Sequence, residues 1–188
     1  MNAVHTPTKL RISLERYQKM VATGVLTSAD RVELIEGEMV EMAPIGTGHA
    51  KITGRLLKRF FLGVQEAAIV RAANPVDLGR YSEPEPDILL LRPQATEYGQ
   101  AHPDAQDVLL LIEVSDSSLA YAQGIKRDLY ARNGVREYWV VDVAGERAIV
   151  YRRPVNGAYE SVQEFVRGGK IAPETFPAIE VAVSDLFD

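Results

Sequence analysis

Two runs of almost uninterrupted aliphatic residues leave this chain few choices of architecture. The runs "PDILLLR" and "DVLLLIEVS" cover residues 86–92 and 107–115. Strands that are apolar at nearly every position are covered on both faces, as the central strands of a sheet are. Because about fifteen proline-punctuated residues join the runs, too few for a crossover helix, the simplest pairing is antiparallel.

The remaining pattern mixes helices and strands without a regular βαβ repeat. A short helix is predicted after an N-cap at Ser13, a longer one from Thr47 to about Glu66, and a third over "LAYAQGIKRDLYARNG". Two-residue turns and short β-rich runs are predicted at Glu36-Gly37, Ala144-Gly145 and Asn156-Gly157. This order predicts an α+β fold class, with a mixed central β-sheet flanked by helices.

Length and composition favour one globular domain. Of the 188 residues, 46% are hydrophobic and 25% are charged, and we expect residues 1–12 to form an N-terminal arm and residues 13–188 a single domain. The chain has no cysteine and no apolar run of membrane-spanning length, so we expect a cytoplasmic protein that does not enter a membrane. A net charge of −5 argues against a protein that coats nucleic acid by bulk electrostatics, although it does not exclude a local basic groove.

Two carboxylates occupy matching ends of the two apolar runs. Asp87 begins the first run and Glu113 lies near the end of the second. In an antiparallel pair these side chains are neighbours, with Cβ atoms about 4.5–5.5 Å apart. Two ionised carboxylates among apolar residues are unfavourable unless one is protonated or a cation lies between them. Mg²⁺ or Mn²⁺ fits this donor set, and the backbone carbonyl of Val114 is a possible further ligand.

Lys126 is the candidate positive charge for the same site. It lies on the helix that follows Glu113, between Ala122 and Leu129 at spacings of four and three, so it is predicted to face the sheet. A metal that activates water and screens a phosphodiester, with a lysine beside it, suits phosphodiester hydrolysis. The alternative is that all three side chains are ordinary: two solvated strand-end acids and a surface lysine.

The stretches "VELIEGEMVEM" and "EPDILLL…LLIEVSDSSLAYAQGIKRDLYARNGVREYWVVD" resemble a large bacterial family of restriction endonuclease-like proteins within the PD-(D/E)XK nuclease superfamily. The resemblance implies a restriction endonuclease-like core in which Asp87 and Glu113 are the motif acids. It also implies auxiliary roles for Glu33 and His49.

This sequence departs from the superfamily pattern at two positions. Ser115 stands where the motif lysine belongs, and the resemblance places that lysine at Lys126 on the following helix. Ala122 stands where similar sequences carry Asp.

The predicted function is therefore a metal-dependent endonuclease that hydrolyses DNA with a metal-bound water, with a homodimer plausible for cutting both strands. Two alternatives stay open. The first is a catalytically inactive nuclease-like fold that binds nucleic acid or a protein, and the second is a hydrolase of small phosphate esters.

Three further expectations concern other polar or aromatic residues. Glu83 and Glu85 are predicted to be solvated, and Tyr138 and Trp139 to pack in the core. A row of basic residues on the long helix is a solvated face or a surface for the DNA backbone, namely Lys51, Arg55, Lys58 and Arg59.

Overall fold

A computed structural model describes residues 9–188. Its centre is a six-stranded mixed sheet in the order β3-β4-β5-β6-β7-β8. The strands are β3 (Ile69–Ala72), β4 (Ile88–Leu91), β5 (Val108–Ser115), β6 (Glu137–Asp142), β7 (Arg147–Val155) and β8 (Ala158–Phe165). Only the β5–β6 pair is parallel, because a helical crossover joins these two strands and tight turns join β6 to β7 and β7 to β8.

Helices and two small hairpins surround this sheet. The α-helices are α1 (Leu14–Ala22), α2 (Thr47–Val64), α3 (Leu119–Tyr121), α4 (Arg127–Arg132) and α5 (Val183–Phe187). Between α3 and α4 the chain forms a π-helical turn, Ala122–Lys126, and 3₁₀ turns cover Gln65–Ala67 and Gly79–Tyr81. The hairpins are β1 (Val32–Ile35) with β2 (Glu38–Glu41), and β9 (Lys170–Ile171) with β10 (Val181–Ala182). Within residues 9–188, no helix is both long and apolar enough to span a bilayer.

Both faces of the sheet are covered by separate apolar clusters. One cluster joins α2, through Ile52, Leu56 and Phe60, to residues that include Trp139. The other joins the crossover helices to the opposite face and contains Tyr138. The α+β fold class with a mixed, helix-flanked sheet is thus confirmed, as is the core position of both aromatic residues.

The register of the two apolar runs agrees with the prediction. β4 and β5 are antiparallel, and Ile88 lies opposite Ile112. Asp87 directly precedes β4, and Glu113 directly follows Ile112, so the two acids meet at the same edge of the sheet. Every residue of β4 and β5 is buried, as expected for strands covered on both sides.

The β1–β2 hairpin lies over this edge. Its turn residues, Glu36 and Gly37, have φ angles of 52° and 85°, and two successive positive φ values are typical of a type I′ turn. Backbone hydrogen bonds in both directions between Leu34 and Glu83 attach the hairpin to the segment that leads into β4. The predicted arm falls partly outside the described residues, which begin at residue 9, and the backbone N–H of Ile12 bonds the carbonyl of Gly37. The division into arm and single domain stays a prediction.

The expectation that Glu83 and Glu85 are solvated was wrong. Glu83 is only 5% exposed, and Glu85 is partly buried, because the hairpin covers this segment. Lys51, Arg55 and Arg59 donate to backbone carbonyls of residues 180–188, so they hold the C-terminal segment against α2 rather than forming a free basic face.

Candidate nuclease site

A cleft of about 750 Å³ opens at the sheet edge where Asp87 and Glu113 meet. Its walls come from α1, the β1–β2 hairpin, the loop before α2 and the crossover helices. All the predicted site residues line it: Glu33, His49, Asp87, Glu113, Val114 and Lys126. The structure therefore brings together side chains that are up to 93 positions apart in the sequence, between Glu33 and Lys126.

Asp87 is held by two donors from different elements. The backbone N–H of Val114 donates to Oδ2 at 2.7 Å, and Nε2 of His49 lies 2.9 Å from Oδ1. His49 projects from the first turn of α2. Its hydrogen bond with Asp87 raises the pKa of the imidazole, with burial opposing this, so the charged form is favoured.

Lys126 lies between two buried carboxylates. Its Nζ atom is 2.9 Å from Oε1 of Glu113 and 3.0 Å from Oε2 of Glu33, and all three residues are less than 10% exposed. Burial opposes the charge on Lys126, but Glu113 and Glu33 outweigh it and raise its pKa above the ordinary value. Burial also raises the pKa of Glu113, and Lys126 counteracts that increase. The lysine is thus a fixed positive charge that limits the rise in the pKa of Glu113, which burial still raises to about 7.

The π-helical turn explains how Lys126 reaches this position. The turn contains one residue more than an α-helical turn, which rotates the following helix relative to α3. Its first carbonyl, at Ala122, accepts a hydrogen bond from the hydroxyl of Tyr138 on β6 at 3.0 Å. Lys126 ends the turn and is buried together with Ala122.

The donor set fits a divalent cation bound by few protein ligands. Within residues 9–188, no three His, Asp or Glu side chains form a cluster that could hold a metal, so an ion bound by these residues would have few protein ligands. Mg²⁺ characteristically takes one or two carboxylates and completes its octahedron with water and substrate oxygens. Glu113 Oε2 accepts no hydrogen bond from the described residues, and each Asp87 oxygen retains a second lone pair.

The carbonyl of Val114 points towards the same place. The carbonyl of Ser115 accepts the N–H of Val143, which follows β6, whereas the N–H of Val114 is directed to Asp87 on the opposite side. Because the backbone groups of successive strand residues alternate in direction, the Val114 carbonyl faces the Asp87 side. There it lies beyond the last β4 pair, Ile88 with Ile112, and is available as a ligand.

Comparisons with known proteins agree with this geometry. Residues 14–184 match the model of the Uma2 family, described as "Putative restriction endonuclease". The chain belongs to this family. The family description agrees with the endonuclease class expected from the sequence, and the restriction endonuclease-like resemblance is confirmed.

A solved structure supports the fold of this Uma2-family protein. The crystal structure of a putative nuclease belonging to DUF820 from Anabaena variabilis superposes with a TM-score of 0.74 at 19% identity, covering 94% of this chain and 97% of that one. None of the curated proteins is significantly similar in sequence.

Both residues at which this Uma2 chain departs from the superfamily motif are buried close to Lys126 or Glu113. Ser115 is 1% exposed at the end of β5, and the ammonium group next to Glu113 in the structure is that of Lys126. Ala122 is 3% exposed and lines the cleft beside this lysine.

Sequence reasoning missed two tyrosines in the site. The hydroxyl of Tyr130 donates to Oε1 of Glu113 at 2.7 Å. Its position four residues after Lys126 was the available signal, because residues at i and i+4 share a helix face. Tyr121 lines the cleft, and its hydroxyl is buried without a hydrogen-bond partner among the described residues. No local pattern distinguishes this tyrosine from a core residue.

Proposed function

We propose that this protein is a metal-dependent nuclease that hydrolyses phosphodiester bonds in DNA. The observation that carries the proposal is the convergence of Asp87, Glu113 and Lys126 in one cleft, with Nζ of Lys126 at 2.9 Å from Glu113. An acid pair with a fixed lysine beside it has a charge pattern that suits phosphodiester hydrolysis.

The carboxylates of Asp87 and Glu113, with the carbonyl of Val114, would hold Mg²⁺ or Mn²⁺. The bound ion would supply Lewis-acid stabilisation of phosphate charge and make water more acidic. His49 and the N–H of Val114 fix the orientation of Asp87, and Tyr130 fixes that of Glu113.

Lys126 would act as a positive charge beside the scissile phosphate or the attacking water. Glu33 accepts from Lys126 at 3.0 Å, so it would help to position the ammonium group. The backbone N–H of Glu85 donates to Glu33 at 3.2 Å and orients that carboxylate in turn.

Nicking of supercoiled plasmid with Mg²⁺ or Mn²⁺ tests the proposal. We expect activity that requires the metal and falls at least about 100-fold in Glu113→Gln and in Lys126→Met. Glu137→Gln is the matched control, because Glu137 is also a buried, hydrogen-bonded acid but lies outside the cleft.

Equal nicking by wild type, Glu113→Gln and Lys126→Met would refute the residue assignment. Absence of cleavage of both the plasmid and a single-stranded oligonucleotide by the folded wild type with either metal, together with binding to DNA, would favour the inactive nuclease-like alternative. We also propose a cytoplasmic location and a homodimer, since cutting both strands of a duplex calls for two sites. Sedimentation at micromolar concentration tests the latter.

A further inference from the structure

The charge of the cleft is unusual for a surface that binds a duplex. Among its lining residues, six carboxylates face only two residues with permanent positive charge, Arg31 and Lys126. Lys126 is buried between Glu33 and Glu113, so Arg31 alone presents an exposed cation. Even with two carboxylates neutralised by a divalent ion, the cleft offers few contacts to a row of phosphates.

Three basic residues on α2 do not supply the missing charge. Lys51, Arg55 and Arg59 are on α2, but each donates to carbonyls of the C-terminal segment. Duplex binding draws most of its affinity from neutralising phosphates with lysine and arginine. Within the described residues, the cleft lining and these three side chains therefore supply little of that positive charge.

The burial of the reactive groups also argues against duplex DNA as the substrate. Glu113 and Lys126 are 8% and 6% exposed at the base of the cleft. Duplex DNA is stiff over about 150 base pairs and carries its phosphates on the outside of a rigid helix. A single strand can bend, and it can turn a phosphate inwards while its bases lie along the walls.

The walls offer apolar and aromatic surface for such bases. Ile45 and Val21 line the cleft and are 60% and 51% exposed, and the partly buried Leu26 and Met42 lie on its lining as well. Tyr121 adds an aromatic side chain near three charged residues of the site. Burial, Glu33 and Glu113 raise the pKa of its hydroxyl, and Lys126 lowers it. Its hydroxyl is buried while the residue as a whole is partly exposed, so we infer that the ring is the part of this side chain available to a ligand.

We propose that the substrate of this cleft is single-stranded DNA, with a base next to the scissile phosphate stacked on Tyr121 and neighbouring bases against the apolar wall. This inference rests on the proposed nuclease function and names its substrate class. Stacking and apolar contact supply most of the affinity, and phosphate neutralisation supplies little.

The test compares a single-stranded oligonucleotide with the duplex of the same sequence. Binding is measured by fluorescence anisotropy in Ca²⁺, and cleavage is measured in Mn²⁺. We expect the single strand to be bound at least 10-fold more tightly and cleaved faster. Since one or two phosphates are contacted, the slope of log K against log salt should lie between about −0.7 and −1.4.

Three variants separate stacking from general stability. Tyr121→Leu should weaken single-strand binding about 5- to 150-fold, the range expected for one stacked base. Tyr121→Phe should bind like wild type, because it keeps the ring and removes only the unpartnered hydroxyl. Phe61→Leu is a control for nonspecific apolar binding, since Phe61 is 58% exposed but does not line the cleft.

Each outcome bears on a different claim. Equal or tighter binding of the duplex, or an unchanged affinity in Tyr121→Leu, would overturn the single-strand inference and leave the nuclease proposal intact. Preferential binding of the single strand with no cleavage of either oligonucleotide would support the single-strand preference and contradict the nuclease proposal. Binding of neither oligonucleotide would overturn both.

Discussion

Lys126 shows how one side chain determines the chemistry of its neighbours. Removing a buried ammonium group from between Glu33 and Glu113 would leave two carboxylates in a low-dielectric site, and breaking a buried ion pair typically costs about 3–5 kcal/mol. The lysine is therefore a structural requirement of the acid pair as well as a candidate participant in hydrolysis. A variant at this position needs a check of folding before its activity is interpreted.

Glu83 gives a pH-dependent prediction that is independent of the candidate site. Burial, and then its hydrogen bond with Asp77, raises the pKa of Glu83 to about 7. In the unfolded chain a glutamate titrates near 4.3. Between these two values the folded protein keeps a proton that the unfolded chain has released, so the free energy of unfolding falls as pH rises through this window.

Glu83→Gln should remove this loss, because the amide stays neutral at every pH. We expect thermal melts from pH 5 to pH 8.5 to show wild type losing about 1–3 kcal/mol relative to Glu83→Gln. Glu160→Gln on the exposed side of β8 is the control and should follow the wild-type curve. Parallel curves for wild type and Glu83→Gln would show that Glu83 titrates near its ordinary pKa in the folded protein.

Some of these side chains were predictable from the sequence and others were not. The meeting of Asp87 and Glu113 followed from strand order and register, which the apolar runs encode directly. The burial of Glu83 depends on the β1–β2 hairpin covering it, a contact between residues 49 positions apart for which no local pattern exists. For Tyr130 the spacing of four residues from Lys126 indicated a shared helix face, but its bond to Glu113 depends on the packing of the crossover helices on the sheet.

Among the elements, α2 has a role that its sequence pattern concealed. Its apolar stripe predicted the helix and its buried face correctly. Its basic residues suggested a nucleic-acid surface, but Arg55 donates to the carbonyls of Asp185 and Leu186 in α5. Carbonyls in the last turn of a helix lack partners within that helix, so side-chain donors there stabilise its end.

Arg55→Met should therefore lower stability without weakening DNA binding. We expect a loss of about 1–2 kcal/mol in urea unfolding, since two hydrogen bonds from a charged donor are removed. The affinity for single-stranded DNA and its salt dependence should stay unchanged. Lys58→Met is the comparison, because Lys58 is on the same helix and exposed. A reduced salt slope in Arg55→Met would instead indicate a phosphate contact.

The π-helical turn is a part of the secondary structure that the sequence did not predict. The sequence "LAYAQGIKRDLYARNG" predicted a helix with its stop at Asn133-Gly134, and α4 does end at Arg132. A π turn depends on tertiary contacts that stabilise the extra residue. Here these are the hydrogen bond from the hydroxyl of Tyr138 to the carbonyl of Ala122 and the ion pairs of Lys126. Periodicity alone therefore placed Lys126 on the correct face but left its reach undetermined.

Over the whole molecule, the site exists because three separate parts of the fold meet at one sheet edge. The sheet supplies Asp87 and Glu113, the crossover supplies Lys126, and the hairpin supplies Glu33. A ligand that binds across this meeting point stabilises the folded chain, because the unfolded chain has no such site. Divalent cations should therefore raise the melting temperature through the site and not through scattered surface acids.

At a cation concentration 100 times its dissociation constant, this linkage is worth about 2.7 kcal/mol, or roughly 5–11 °C for a chain of this size. We expect Mn²⁺ to produce such a shift in wild type and in Glu137→Gln, and no shift in Asp87→Asn or Glu113→Gln. Differential scanning calorimetry at constant ionic strength, with choline chloride replacing the manganese salt, excludes general screening as the cause. An undiminished shift in Glu113→Gln would place the cation elsewhere, because that variant removes a carboxylate that neither His49 nor Val114 can replace.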